Sequence, residues 1–227
     1  MLCAINGIRV LTLFSGTHSV GKVASEFGWE EVSLDLYEPA DIQEDILKWD
    51  WRLYPPGYFD IIWASPECKE YSRAKTVGKR QLVHADKMVK RTLQIINDLR
   101  PKFWFIENPE TGMLKTRDFM LLRPRSICDY CKYGLPYRKR TALWSNVSYE
   151  LSSILQTCKH DCHACTNGRH FISLQEEKHG KIRGRIPAPL LTDIFMLCKT
   201  IAPSVSVILL IEIILLFISS SEINGPT

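Results

Sequence analysis

A basic segment leading into an apolar core and a small-residue cleavage site is missing from "MLCAINGIRVLTLF", so this N-terminus does not read as a secretory signal and is expected to be a first strand. Without such a signal the eight cysteines do not read as a disulfide framework. Reduced thiols in an intracellular compartment are expected instead, free for a metal or for chemistry. Net charge is small too, +4 over 227 residues with a pI near 8.6, and charge alone therefore cannot identify a polyanion partner. Internal repeats and low-complexity tracts are absent, which removes repeat architectures. The longest apolar stretch, "SVSVILLIEIILLFISSS" at 204–221, is broken by Glu212, and its continuous part falls short of the roughly 20 residues a membrane-spanning helix needs. Three readings stay open for it: a buried strand or helix, an oligomer or membrane contact, or a tail without a role.

What is present has globular composition, 45% hydrophobic and 24% charged, and is long enough to bury a core with a small appendage. "GIRVLTLFSG" reads as a strand ending in a glycine turn, "THSVGKVASEFGW" as a helix closed by Gly28, and "EEVSLDLY" as a second strand. "YFDIIWASP" is a third strand. A helix follows, with Met88, Val89, Leu93, Ile96 and Leu99 on its apolar side, and "PKFWFIENP" is a further strand. Alternation of this kind predicts an α/β fold with a doubly wound, mostly parallel sheet and ligands at the carboxyl ends of its strands. The expected organisation is a core over 1–125, a stretch over 126–185 that contains a small insertion, a proline-opened helix over 186–203 packing back on the core, and a tail over 204–227. Lysine and arginine concentrate between Lys69 and Arg140, which suits a face that meets phosphates and equally suits solvated helix faces.

In "LFSGTHSVGK" a strand passes through a glycine loop into a helix N-terminus, and Asp35 ends the next strand 19 positions after Gly16. Such a turn lets a cofactor approach the backbone, and an acid at that distance suits a ribose hydroxyl. The strict three-glycine fingerprint is lacking, since Thr17, His18 and Ser19 separate Gly16 from Gly21. Cys68, in "ASPECKEYSR", sits just past an apolar strand and is either a packing thiol or a nucleophile. Glu107 and Asn108 in "FIENP" end another strand, and "YRKRT" lies shortly beyond.

Taken in order, "LFSGTHSVGK", "SLDL", "EDI", "ASPECKEYSRAK", "FIENP" and "YRKRTALW" resemble the DNA cytosine 5-methyltransferase family, especially its short phage- and virus-type members, over roughly residues 8–200. The resemblance implies a Rossmann-like methyltransferase fold, S-adenosylmethionine as cofactor, and DNA as partner, its cytosine flipped from the duplex inside a host cell. It implies Cys68 as the thiolate that adds to carbon 6, Glu107 as the carboxyl that bonds the base, and Arg138 and Arg140 as the arginine pair. A register one step along puts Arg140 first and Ala142 second. Around the cofactor it implies Phe14, Ser15 and Gly16 in the first loop, Asp35 on the ribose, Asp45 on the adenine and Ile46 packing the ring. Asp45 also reads as one of several helix-start acids in "QEDILKWD". One departure is Glu67, which stands where the family has a second proline; a carboxylate beside a thiol raises its pKa and holds it protonated. An enzyme acting on RNA cytosine and a catalytically silent nucleic-acid-binding relative are the alternatives.

Cys128 and Cys131 in "CDYC", Cys158, Cys162 and Cys165 in "CKHDCHAC", and His170 offer more soft ligands than one tetrahedral zinc requires. The resemblance selects Cys131, Cys158, Cys162 and His170, with Cys128 and Cys165 as substitutes. Zinc there would be structural, because so small an irregular insertion buries too little surface to order itself. Unpaired thiols beside solvated His160 and His163 are the other reading. A short insertion also predicts a very short target sequence.

Overall fold

The computed structural model describes residues 7–172 and 183–202. The expected tail at 204–227 and the stretch 173–182 of the expected insertion lie outside them. β1 (Arg9–Leu13) leads into α1 (Ser19–Glu26) and returns as β2 (Glu30–Asp35), followed by the two-residue β3 (Ile42–Gln43). β4 (Ile61–Ala64), α2 (Leu82–Leu99) and β5 (Phe103–Pro109) come next. After the short α3 (Asp118–Leu121), β6 (Arg125–Asp129) and β7 (Arg140–Ser145) lead to α4 (Ser148–Ile154). A hairpin of β8 (Cys165–Thr166) and β9 (Arg169–His170) stands apart, and a last helix, α5, spans 188–202.

Seven strands form one sheet in the order β3-β2-β1-β4-β5-β7-β6. The first five in that order pair parallel, and β7 lies antiparallel between β5 and β6. The expected mostly parallel, doubly wound sheet is what the chain forms. Its order reverses beside β1: the chain moves outward to β2 and β3, then crosses back to β4. A crevice at the carboxyl ends of β1 and β4 is where such a sheet holds ligands.

Burial on both faces explains why the central strands read as continuous apolar runs. Period-two alternation sends Val10, Ile61, Trp63, Phe103 and Phe105 into one core layer with α1, α4 and α5. Leu11, Leu13, Ile62, Ala64 and Ile106 enter the other with α2. In α2 the buried line is Ala85, Val89, Ile95, Ile96 and Leu99, while Met88 and Leu93 flank it half-buried. The helix ends at Arg100 in a left-handed conformation, one residue before Pro101.

The sheet continues past the expected core boundary at residue 125, which falls at the start of β6. Arg140, the last residue of the arginine motif, opens β7, and Arg138 and Lys139 lead into it. The reason the sheet continues is packing: Ala142 and Trp144 extend one core layer and Leu143 the other. The irregular Cys/His-rich segment starts only after α4.

α5 closes the core. Leu190, Leu191, Ile194, Phe195 and Cys198 are buried among β1, α1 and α4, and Phe195 stacks near Phe27 and Trp29 with ring centroids 5.8 and 4.8 Å away. Phe195→Ala would empty this fully buried site and is expected to cost about 3–5 kcal/mol, read as a fall in the urea midpoint at unchanged slope.

Candidate active site

The loop after β1 is built on unusual backbone. Phe14, Gly16 and His18 all have positive φ, at 59°, 51° and 55°. For Gly16 that conformation is free of strain; for Phe14 it is costly, and strain of this kind concentrates at functional sites. Asp35 holds the loop: one carboxylate oxygen accepts from the Gly16 N–H at 2.9 Å, the other from the N–H groups of Tyr37 and Glu38 at 2.8 and 3.0 Å. The His18 ring reaches the Pro39 carbonyl at 2.6 Å, tying this loop to the one after β2. Both loops therefore sit rigidly over the sheet's switch point.

On the other side of the crevice, Ser65 N–H donates to the Leu13 carbonyl, continuing the β1–β4 ladder by one residue. The Asn108 side-chain amide donates to the Pro66 carbonyl at 2.9 Å, which fastens the loop bearing Cys68 to the end of β5 bearing Glu107. A turn from Cys68 to Tyr71 follows, and Met113 N–H donates to the Tyr71 carbonyl. Gly112 suits this turn: a Cβ there would stand 3.1 Å from the Pro109 carbonyl oxygen and 3.4 Å from that of Tyr71.

These elements enclose a cavity of about 1420 Å³, larger than the roughly 300–1,000 Å³ that takes one drug-sized ligand. It has room for two. Phe14, Ser15, Gly16, Asp35, Asp45 and Ile46 line it, together with Cys68 and Glu107. Asp45 caps its own turn through the Leu47 N–H, and Ile46 is buried in the core layer beneath. The side-chain oxygens of Ser15, in the β1 loop, and of Asn108, across the crevice, line the cavity and are buried without a hydrogen-bond partner. Buried polar atoms are seldom left unpaired, so the cavity fits a polar ligand. Asp35 retains lone pairs after its three backbone bonds, enough for a ribose hydroxyl.

Glu107 is 6% exposed. One of its oxygens accepts from the Tyr130 hydroxyl at 3.0 Å and meets Lys139 Nζ at 3.2 Å. Burial first, and then the Glu107 charge, push the Tyr130 phenol well above its ordinary value, which keeps it a donor. Arg138 and Arg140 do not join Cys68 and Glu107. Both bind Asp129, Arg138 through Nε at 2.9 Å and Arg140 through a terminal nitrogen at 3.1 Å. Extended backbone puts alternate residues on opposite sides, so with both arginines turned to Asp129 it is Lys139 that lines the cavity. The sequence reading passed over Lys139 and Tyr130; the strand alternation of "YRKRT" was the signal that could have found the first.

The Cys68 thiol is raised above its ordinary value. Burial is the main cause; Lys139 pulls it down, Glu107 pushes it up, and Glu67 contributes least. Glu67 is thus a minor influence on the thiol, contrary to the weight its place in the sequence suggested. Lys69 and Arg73 line the cavity from exposed positions, so a polyanion would meet cations there, whereas Lys75 is half-buried and held by the Glu70 carboxylate at 2.6 Å.

Farther along, the ligand atoms of Cys131, Cys158, Cys162 and His170 all lie within 4.8 Å of one another. His170 Nε2 is 3.6 Å from Cys158 Sγ and 3.5 Å from Cys162 Sγ, close to the ~3.6 Å that tetrahedral zinc imposes between a sulfur and a nitrogen ligand. The donor set fits zinc. Cys128 is buried in the sheet beside Thr141 and apart from this group, while Cys165 and His160 form a second trio that shares His170.

No protein-family model matches the chain. It is 32% identical over 220 residues, 84% of this chain and 100% of the relative, to the "Probable DNA (cytosine-5)-methyltransferase" of Frog virus 3 (isolate Goorha). Among solved structures it is similar to a prophage-encoded E. coli protein assigned as a DNA modification methyltransferase, with a TM-score of 0.46 and 17% identity over 64% of this chain and 48% of that one. The chain thus spans about half the length of that structure's chain.

The order of influences on Cys68 can be measured by its alkylation with iodoacetamide as a function of pH. Glu107→Gln removes a negative neighbour, which favours the thiolate, so the profile is expected to move to lower pH. Glu67→Gln should move it in the same direction by less; a larger shift from Glu67→Gln would reverse the assignment.

Proposed function

The chain belongs to the DNA (cytosine-5)-methyltransferase family, and from that premise we propose that it transfers a methyl group to carbon 5 of cytosine in DNA through an adduct on Cys68. The observation that carries this reading is a single cavity at the β1–β4 switch point, in which Cys68 and Glu107 face the β1 loop. Carbon 5 of cytosine is a poor nucleophile on its own. Addition of the Cys68 thiolate to carbon 6 forms a carbon–sulfur bond and shifts the ring's π pair, so that carbon 5 becomes enamine-like and can attack. Glu107 bonds the ring nitrogen and the exocyclic amino group, where charge develops. Once carbon 5 carries the methyl group, a base takes its proton; the released pair reforms the double bond and the C6–S bond breaks, returning Cys68.

S-adenosylmethionine, when bound, would supply the methyl group as an electrophile. Phe14, Ser15 and Gly16 would hold it from the β1 loop, Asp35 through its remaining lone pairs to the ribose, and Asp45 and Ile46 at the adenine. The unpaired Ser15 hydroxyl supports a polar occupant beside that loop. The target base must leave the stack, at a cost of a few kcal/mol. Lys69 and Arg73 would hold the opened strand by its phosphates, with host-cell or viral DNA as the substrate.

Cys131, Cys158, Cys162 and His170 would hold a structural zinc. Bound there, it would join the end of β6 to the β8–β9 hairpin, a segment with little apolar surface of its own. Purified protein is expected to carry one zinc per chain, and Cys162→Ala to lose it together with part of the thermal stability. Substoichiometric metal in a protein whose melting is indifferent to chelator would overturn the zinc reading.

The reaction is tested by covalent trapping on duplex DNA containing 5-fluorocytosine, from which fluorine cannot leave as the proton does. A denaturant-stable complex that requires S-adenosylmethionine and vanishes in Cys68→Ala is the expected result. Trapping on RNA alone would move the reading to RNA cytosine. Tight DNA binding without any adduct, in folded and zinc-loaded protein, would leave a binding module.

A further inference from the structure

We propose that Lys139, rather than either neighbouring arginine, is the cation of the base pocket: it donates to the carbonyl oxygen on carbon 2 of the target cytosine and faces the Cys68 sulfur. This rests on the reading of the cavity as a cytosine site. The resemblance to the family assigned that place to an arginine. Here both arginines are spent on Asp129, whose carboxylate is fully buried and could not be left unpaired without a large penalty. Lys139 is 8% exposed and lines the cavity. Its ammonium meets Glu107 at 3.2 Å and lies 4.8 Å from the centre of the Tyr130 ring.

An ammonium has three donors. Glu107 takes one and the ring face of Tyr130 satisfies the charge in part, which leaves a donor for a ligand in the cavity. Glu107 and Lys139 are thereby presented together, one to the ring nitrogen and amino group, the other to the adjoining carbonyl. That pairing matches the edge of cytosine from the exocyclic amine to the carbonyl oxygen. When Cys68 adds to carbon 6, the displaced electron density collects on the ring nitrogen and on that oxygen, and a fixed positive charge there is worth more than water would be. The charges that act on the Cys68 thiol are those of Lys139 from the β7 side, Glu107 from β5 and Glu67 from its own loop; Lys139 is the cation among them and lines the same cavity as Cys68.

The test compares the parent with Lys139→Met and Lys139→Arg in two assays. In the free protein, the pH profile of Cys68 alkylation is expected to move to higher pH in Lys139→Met, because losing a positive neighbour disfavours the thiolate, and to stay near the parent's in Lys139→Arg. On 5-fluorocytosine duplex, the single-turnover rate of adduct formation should fall at least about 100-fold in Lys139→Met, with DNA affinity changed by less than about threefold, since phosphate contacts at the rim remain. Lys139→Arg should recover part of that rate, and it guards against Lys139→Met failing through an unpaired Glu107. An adduct at the parent's rate in Lys139→Met, or one lost in Arg140→Lys while Lys139→Met keeps it, would overturn the assignment. If the parent itself forms no adduct, the cytosine reading is what fails; an unmoved alkylation profile in Lys139→Met would then overturn the pairing with Cys68 as well.

Discussion

Asp129 has no exposure to water, and a carboxylate in that position has to be surrounded by donors. It is met by Arg140 from the neighbouring strand, by Arg138 just before that strand, and by the Cys158 N–H at 2.8 Å. Three parts of the molecule therefore meet on one side chain: β6, the start of β7, and the segment carrying the Cys/His cluster. The consequences run in two directions. Cys131, two residues beyond Asp129, is brought to Cys158, and Tyr130, between them, is turned toward Glu107. With the arginines drawn to Asp129, Lys139 alone of the three basic residues in "YRKR" is delivered to the cavity.

The site's other half depends on sheet order. Loops leaving adjacent parallel strands ordinarily pass to the same side, and only where the order reverses do they diverge and leave a crevice. β1 and β4 are that pair. The loop with Phe14, Ser15 and Gly16 departs one way and the loop with Pro66 and Cys68 the other. Asp35 and Asn108 then act as fasteners, each bonding backbone of a loop rather than only lining the cavity. A rigid mouth of this kind limits the reorganisation that must accompany chemistry inside it.

Electrostatics inside the cavity are balanced rather than dominated by one sign. Burial disfavours the Cys68 thiolate, Lys139 favours it and Glu107 opposes it. Such a thiol is poised by its neighbours and is sensitive to what enters beside them. Any ligand that took the bonds of Glu107 would change the environment of the sulfur.

Local composition determined a good deal of this protein. Apolar runs, helical periodicity and the glycine loop after β1 were enough to place β1, α1, β2, α2, β5 and α5, because strands buried on both faces and helices buried on one leave distinct patterns. The same patterning put Phe14, Ser15, Gly16, Asp35, Cys68 and Glu107 at strand ends. What tertiary structure alone decided was which of those ends converge and which side chains turn inward. The extent of the sheet beyond residue 125 depended on β7 inserting antiparallel between β5 and β6, a non-local pairing that no window of sequence reports. The direction of Lys139 followed from a buried carboxylate ten residues earlier in the chain. Charge partners are chosen by proximity in three dimensions, whereas the sequence records only which charges are available.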